Sequence, residues 1–337
     1  MKIVKSKFFE RDLRFLRVKL SFLNHIYNFN HGINFQSLPT EKYPEASQKA
    51  QKARIVLEQH LIPATLNIGE STSEIPKKLW LYWNSPLEAA PDVVKVSVQS
   101  WKEKNPDYDL VLLNDHNLNE FLGFDFNALF CIATVNLGFA MKADILRMYL
   151  LSMYGGVWVD TTTFCVRPLD EWLPNCTRQT GFFTFRHKSN KTRPIEAWFI
   201  ASQQGHFVIR HVLALFLEHL FKARKQSLYI VHNMKSLGYS DKDGERLFAD
   251  AVYAAEQHHF MPYFSVGYFF NEALRHEQAG NVDEILMQQP NYHAVNMDDM
   301  VIFMASYVSK QTYKKDYQET DLYRERRQYI FNSLKKA

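Results

Sequence analysis

From residue 77 onward the chain alternates short apolar strands with helices, which calls for an α/β fold built on a parallel sheet. Two stretches carry that expectation. KKLWLYWN (77–84) is a short, aromatic, strand-like run, and YDLVLL (108–113) is another. Between them Pro91 opens a helix through Val94, Val98 and Trp101, because the fixed φ of proline suits a first turn, and Asn105-Pro106 ends it. Strand, helix and strand within about forty residues make a βαβ unit, whose ligand site lies at the carboxyl ends of its parallel strands. Further along, residues 139–154 are apolar nearly all round and read as a buried helix. Gly155-Gly156 stops that helix, and VWV (157–159) enters a strand.

Upstream the pattern is helical. Phe9, Leu13, Leu16, Leu20, Leu23 and Tyr27 recur at alternating spacings of four and three and draw one apolar stripe. Arg11, Arg14 and Lys19 fall off it, so this helix either docks on the main domain or lies on an anionic membrane through residues 1–27. Residues 43–60, rich in Ala, Gln, Lys and Glu, form a second expected helix, and Pro63 with the polar 69–74 stretch reads as a linker. The expected organisation is an N-terminal helical region (1–72), a main α/β domain (73–315) and a C-terminal helical tail (316–337).

The 337 residues suffice to bury a full core. Forty Lys and Arg against 36 Asp and Glu leave +4, too mild for a dedicated nucleic-acid binder, so no nucleic-acid partner is expected. The charge is uneven, because residues 1–25 hold seven basic groups and two acidic ones and leave the remainder near neutral. Cys131, Cys165 and Cys176 are too few and too irregular for a disulfide framework or a zinc site, and they fit a reducing compartment. No apolar run reaches the roughly 18 residues that cross a bilayer, and charges interrupt the N-terminus too often for a signal peptide. The expected location is the cytoplasm, with residues 1–27 available to the inner face of the membrane.

The chemistry concentrates in FAMKADILRMYLLSMYGGVWVDTTTFCV (139–166). Lys142, Asp144 and Arg147 sit inside an apolar helix, where charges are costly unless paired or used. Asp144 and Arg147 are three apart, so they share a face and can pair. The strand then delivers Asp160 at its carboxyl end. A carboxylate there, beside a cation on the preceding helix, suits a diphosphate ligand, for it can hold a divalent metal that bridges phosphates. The arginine can organise the carboxylate or meet a phosphate directly. A buried Asp–Arg pair that only fixes helix to sheet explains the same spacing.

ADILRMYLLSMYGGVWVD (143–160) closely resembles the signature of bacterial capsular-polysaccharide-synthesis glycosyltransferases. These are related to the sugar-binding-DXD glycosyltransferases, which include yeast mannosyltransferases and large clostridial toxins. IPKKLWLYWN (75–84) is similar to the first strand of that family, and EAWFIASQQGH (196–206) to a later one. The resemblance implies a GT-A-type fold, a Rossmann-like mixed sheet flanked by helices, with nucleotide and acceptor halves fused in one continuous sheet. It implies transfer of a sugar from a nucleotide-diphosphate sugar, a UDP-sugar, to a hydroxyl on a glycan or lipid-linked glycan in surface-polysaccharide synthesis, with retention. A toxin-like enzyme acting on protein, or a carbohydrate-binding protein without catalysis, are the alternatives.

Position by position, Tyr82 and Trp83 match aromatics that flank the nucleobase, and Asp144 and Arg147 match residues that orient ribose and phosphates. Gly155 and Gly156 match glycines that allow close backbone approach, and Asp160 matches the first Asp of the DXD motif. The third DXD position is Thr162, so a bound Mn or Mg ion would have Asp160 as its one acidic ligand here, with Thr162 beside it.

Other residues have plainer readings beside functional ones. Trp198 either floors a sugar pocket or fills the core. His187, among Arg186, Lys188, Lys191 and Arg193, belongs to a basic loop that is solvated or meets an anion. His232-Asn233 follows a strand-like run, and His258-His259 ends a helix; both are expected to be structural. Asp298-Asp299 reads as a turn before a strand. Ser306, Lys310 and Lys314 align loosely with a segment that closes over the phosphates in related enzymes. No GxxxxGK[ST], GxSxG, HExxH or CxxC pattern offers a rival chemistry.

Overall fold

The computed structural model describes residues 20, 22–23, 48–66, 74–135, 137–187, 194–224, 228–231, 248–257 and 260–335. The stripe of residues 1–27 lies outside them apart from Leu20, Phe22 and Leu23, as do most of the linker and His232, Asn233, His258 and His259.

Ten strands are described: β1 Lys78–Tyr82, β2 Asp109–Leu113, β3 Gly156–Val159, β4 Thr163–Cys165, β5 Phe182–Arg186, β6 Ile195–Ser202, β7 Tyr229–Val231, β8 Phe260–Pro262, β9 His293–Val295 and β10 Val308–Lys310. The described α-helices of six residues or more are α1 Gln48–Val56, α2 Asp92–Lys104, α3 Phe139–Tyr154, α4 Phe207–Phe221, α5 Phe248–Gln257, α6 Ser265–Arg275, α7 Val282–Gln288, α8 Met300–Ala305 and α9 Asp321–Leu334. None of the described helices is long and apolar enough to cross a membrane.

The central sheet runs β2-β1-β3-β6-β5. β1 pairs in parallel with β2 and β3, while β6 is antiparallel to β3 and to β5. The mixed α/β sheet flanked by helices is thus as expected. Its βαβ unit forms because Pro91 leads into α2, Asp92 lies in the first turn, and Lys102 and Lys104 sit near the carbonyl end, so the charges complement the helix dipole. Trp80, Trp158 and Phe199, from three adjacent strands, are at most 1% exposed. α3 and α4 pack on each other, and Leu146, Leu150 and Leu151 of α3 are buried in the main core. Each such leucine contributes about 1.5–3 kcal/mol.

One expectation is corrected. The strands do not form one continuous sheet: β4, β10 and β9 make a separate three-stranded sheet, and β7 and β8 a two-stranded one. The chain changes sheets at the turn after β3. Thr161 Oγ1 donates to the Tyr82 carbonyl at 3.1 Å, and Gln311 N donates to the Thr162 carbonyl at 2.7 Å. The first bond ties the turn to the end of β1 and the second ties it to the residue after β10, and β4 beyond the turn pairs antiparallel with β10. A second cluster of buried side chains, including Val93, Phe164, Phe303, Tyr323 and Ile330, joins α2, the small sheet, α8 and α9.

Asp298-Asp299 also differs from expectation, for the apolar run after it is helix α8 and not a strand. Asp299 caps it, accepting from Ile302 N at 2.9 Å, and Phe303 is its buried residue.

Candidate functional site

Asp160 follows the last residue of β3 at its carboxyl end, where the sequence puts it. Its backbone N–H donates to the Trp198 carbonyl at 2.9 Å, which pins this strand end to β6. α3 arrives beside it with two buried charges, three residues apart as the spacing requires. Arg147 Nη1 donates to Asp144 Oδ1 at 2.8 Å, and Nη2 donates to Asp160 Oδ1 at 2.8 Å. The guanidinium lies 5.0 Å from the ring centroid of Trp158, whose Nε1 donates to Asp160 Oδ1 at 3.1 Å. The fourth charge comes from β10: Lys310 Nζ donates to Asp160 Oδ2 at 2.5 Å. Four alternating charges therefore form one chain, Asp144–Arg147–Asp160–Lys310, drawn from three elements.

The two carboxyls stand in different fields. Burial pushes Asp144 up to about 6, against the pull of Arg147 and with the help of the neighbouring Asp160 charge. Burial acts on Asp160 in the same sense, but Lys310 and Arg147 outweigh it and hold that carboxyl below the usual range. Arg147 spends both terminal nitrogens on carboxylates, and its buried Nε–H has no hydrogen-bond partner.

A cavity of about 750 Å³ opens over this chain of charges. Tyr82, Trp83, Asp144, Arg147, Asp160, Thr162 and Trp198 all line it, so the fold brings most of the expected site residues together. Tyr82 OH donates to Asp115 Oδ1 at 2.5 Å, and Trp83 meets Tyr313 edge-on at 5.7 Å between centroids, so both aromatics are held at the wall. Trp198 serves both of its readings. It is buried, stacks on Phe185 at 5.4 Å, and also faces the cavity.

Gly155 and Gly156 are corrected, since they lie outside the cavity at the other end of β3. Their left-handed φ values of 63° and 100° turn α3 into the strand. A Cβ on Gly155 would come within 2.6 Å of Gln204 N, and one on Gly156 within 2.7 Å of the Lys78 carbonyl. The close approach they permit is to their own chain. Of the basic loop, His187 lines the cavity, while Arg186 donates to the Leu286 and Gln289 carbonyls at 2.5 Å and so ties down the end of α7.

Three polar cavity residues had little or no signal. Glu196 sits inside a recognised motif, yet nothing in its spacing marks it; its Oε2 accepts from Trp198 Nε1 at 2.9 Å. Tyr263 reaches the cavity from the residue after β8. Lys310 had only the loose alignment of its segment.

The residues present do not fit a divalent ion held by the protein. Asp160 has Arg147 and Trp158 on one oxygen and Lys310 on the other, Thr162 adds no carboxylate, and Asp144 is engaged by Arg147. Among the described residues no three His, Cys, Asp or Glu side chains gather where they could hold a metal.

The charged cavity at the parallel strand ends of this mixed sheet sits where α/β folds of this kind bind their ligands. The chain belongs to the capsular polysaccharide synthesis protein family, whose profile matches residues 46–261. It is 23% identical over 204 residues to an initiation-specific alpha-1,6-mannosyltransferase of Candida albicans, covering 54% of this chain and 50% of that one. It is 28% identical over 122 residues to inositol phosphoceramide mannosyltransferase 3 of Schizosaccharomyces pombe, covering 36% of this chain and 30% of that one. The chain spans about half the length of the curated relatives it matches. A solved structure of PaToxG glycosyltransferase aligns over 85% of this chain and 95% of its own, at 14% identity and a TM-score of 0.35.

Proposed function

We propose that the protein is a glycosyltransferase that moves a sugar from a nucleotide-diphosphate sugar, a UDP-sugar, to a hydroxyl on a glycan or lipid-linked glycan in surface-polysaccharide synthesis. The observation that carries this reading is the Asp144–Arg147–Asp160–Lys310 chain under an aromatic-walled cavity at the strand ends. Membership of the family and the similarity to two mannosyltransferases support it. The matched motifs support a GT-A reading of the fold, and the few, irregularly spaced cysteines support work in the cytoplasm.

In the proposed reaction the bond from the anomeric carbon to the diphosphate oxygen breaks as the bond to the acceptor oxygen forms. The electron pair goes to the diphosphate, and the acceptor proton passes to that departing oxygen. Such a front-face path keeps the anomeric configuration and needs no dedicated base. Tyr82 and Trp83 would face the nucleobase, whose π-surface suits aromatic walls. Arg147 would fix Asp160 toward the donor sugar, and charge developing on the diphosphate would be met by cationic groups already in place.

The test is a thermal-shift screen against nucleoside diphosphates and their sugars, followed by donor hydrolysis. One nucleotide should raise the melting temperature, and its sugar should be hydrolysed. Asp160→Asn should lower that turnover by about a hundredfold or more, the scale of losing a key electrostatic contact, in a variant that still unfolds cooperatively, at a lower temperature than the wild type. A folded sample that responds to none of them would count against the enzyme reading and favour a carbohydrate-binding protein without catalysis. Inversion at the anomeric carbon of the product would replace the front-face path with a direct displacement that needs a base.

A further inference from the structure

Departure of a diphosphate leaves negative charge that something positive must receive. The residues lining the cavity offer few permanent cations. Arg147 is committed to Asp144 and Asp160 at 2.8 Å each, and its side chain is only 5% exposed. Lys310 makes one ion pair, to Asp160 at 2.5 Å, and its side chain is 23% exposed on the cavity wall. An ammonium on a flexible stem carries three donors, so Lys310 can keep one on Asp160 and turn the others to a phosphate.

We propose that Lys310 is the group that receives the donor diphosphate, in the position relative to Asp160 that a divalent ion would take, so that donor binding needs no metal. This rests on the nucleotide-sugar reading above. A divalent ion here would have to displace Lys310 and then compete with Arg147 and Trp158 for Asp160, with Arg147 for Asp144 and with Trp198 for Glu196, where magnesium or manganese wants about six oxygens. The third position of the motif is Thr162, so no second carboxylate is there to hold it. Lys310 keeps its proton throughout transfer; it supplies charge and hydrogen bonds, while the acceptor proton follows the path already given.

The fold places this lysine firmly. β10 sets Lys310 opposite Thr163 of β4 and Val295 of β9. The next residue, Gln311, donates its N–H to the Thr162 carbonyl at 2.7 Å. The side chain of Gln311 is gripped in turn by Arg326 Nη1 at 3.1 Å and by the hydroxyl of Tyr317. Lys310 lies beyond the 46–261 segment that carries the family match, so the cation comes from a different part of the chain than the carboxylate it serves.

Calorimetric titration of UDP and GDP into the full-length protein, in EDTA and then with manganese or magnesium, tests this without any variant. The better nucleotide should bind in EDTA within about threefold of its affinity with metal. Lys310→Ala should weaken binding in EDTA by about tenfold or more, as loss of one charge-assisted contact does, and Lys310→Arg should keep most of it. Manganese should restore part of the affinity of Lys310→Ala, because Asp160 Oδ2 is then free and the nucleotide diphosphate and water can supply the remaining oxygens; a lysine with a purely structural role would give no such metal response. Wild-type binding that appears only with metal overturns the proposal, as does Lys310→Ala binding like the wild type in EDTA. Binding of neither nucleotide to folded wild type, with or without metal, overturns the nucleotide-sugar reading and the proposal with it.

Discussion

Asp144 and Asp160 are alike in residue type and share one arginine, yet they titrate in opposite directions. Asp144 is 9% exposed and has Arg147 as its cation, so burial wins and its carboxyl rises to about 6. Asp160 has Lys310 as well, and the second cation reverses the outcome. The rise has a consequence for stability. A folded carboxyl that holds its proton more tightly than the unfolded one stabilises below the unfolded value and loses that contribution as pH rises through the folded value. Between about pH 4, the unfolded value, and about 6 this group should therefore lower wild-type stability as pH rises. Asp144→Asn should lack that part of the slope in urea unfolding measured across this range; parallel wild-type and variant curves would show that Asp144 ionises normally. The Asp144–Arg147 pair was legible because three-residue spacing in a helix dictates a shared face. The Lys310 partner of Asp160 was not, since 150 residues separate them.

At the scale of elements, the α3–β3 joint does what its sequence announces. An apolar helix stops at two glycines and the chain enters a buried strand, each of whose residues is buried. The glycines matter for packing and not for ligand contact. Gly156 has φ 100°, and its Cα lies so near β1 that an added Cβ would meet the Lys78 carbonyl at 2.7 Å and Trp80 Nε1 at 3.1 Å. Gly156→Ala combines a strained φ with a backbone clash, and each such effect costs about 1–3 kcal/mol. Chemical denaturation should show a loss of at least that size, with residual activity tracking the folded fraction. A variant as stable as the wild type would mean that β3 can move away from β1. That glycines were needed was readable from the helix stop; which backbone they admit was a matter of tertiary contact. The same limit explains α8. An apolar hexapeptide can be strand or helix, and the Asp299 cap together with solvent around Val301, 71% exposed, decided for helix.

Across the whole molecule, the last helix reaches back to the site through a buried cation. Arg326 is 0% exposed. Its guanidinium donates to the Val295 carbonyl and Gln311 Oε1, both at 3.1 Å, to Tyr317 OH at 3.3 Å, and to the Asp298 carbonyl. It therefore ties α9 to the end of β9, to the turn before α8, and to the residue after Lys310. Arg326→Met should leave several buried oxygens short of a donor, at about 1–3 kcal/mol each, and lower stability by more than one such term. The segment holding Lys310 should loosen at the same time, so hydrogen exchange at β10 should quicken more than at β1. Uniform exchange in both strands would show that β10 is held without α9.

Local order was the part the sequence by itself determined: the βαβ unit, the buried helix, its glycine stop, the Asp144–Arg147 pair and the strand-end place of Asp160. Each follows from periodicity, turn chemistry or spacing within about twenty residues, where backbone geometry leaves few choices. Only the tertiary structure decided that β4 leaves the central sheet for β10, that Glu196 and Tyr263 join the cavity wall, and that Lys310 closes on Asp160. Those arrangements depend on which distant segments share a core and which buried charges must find a partner, and neither is written in the spacing of neighbours along the chain.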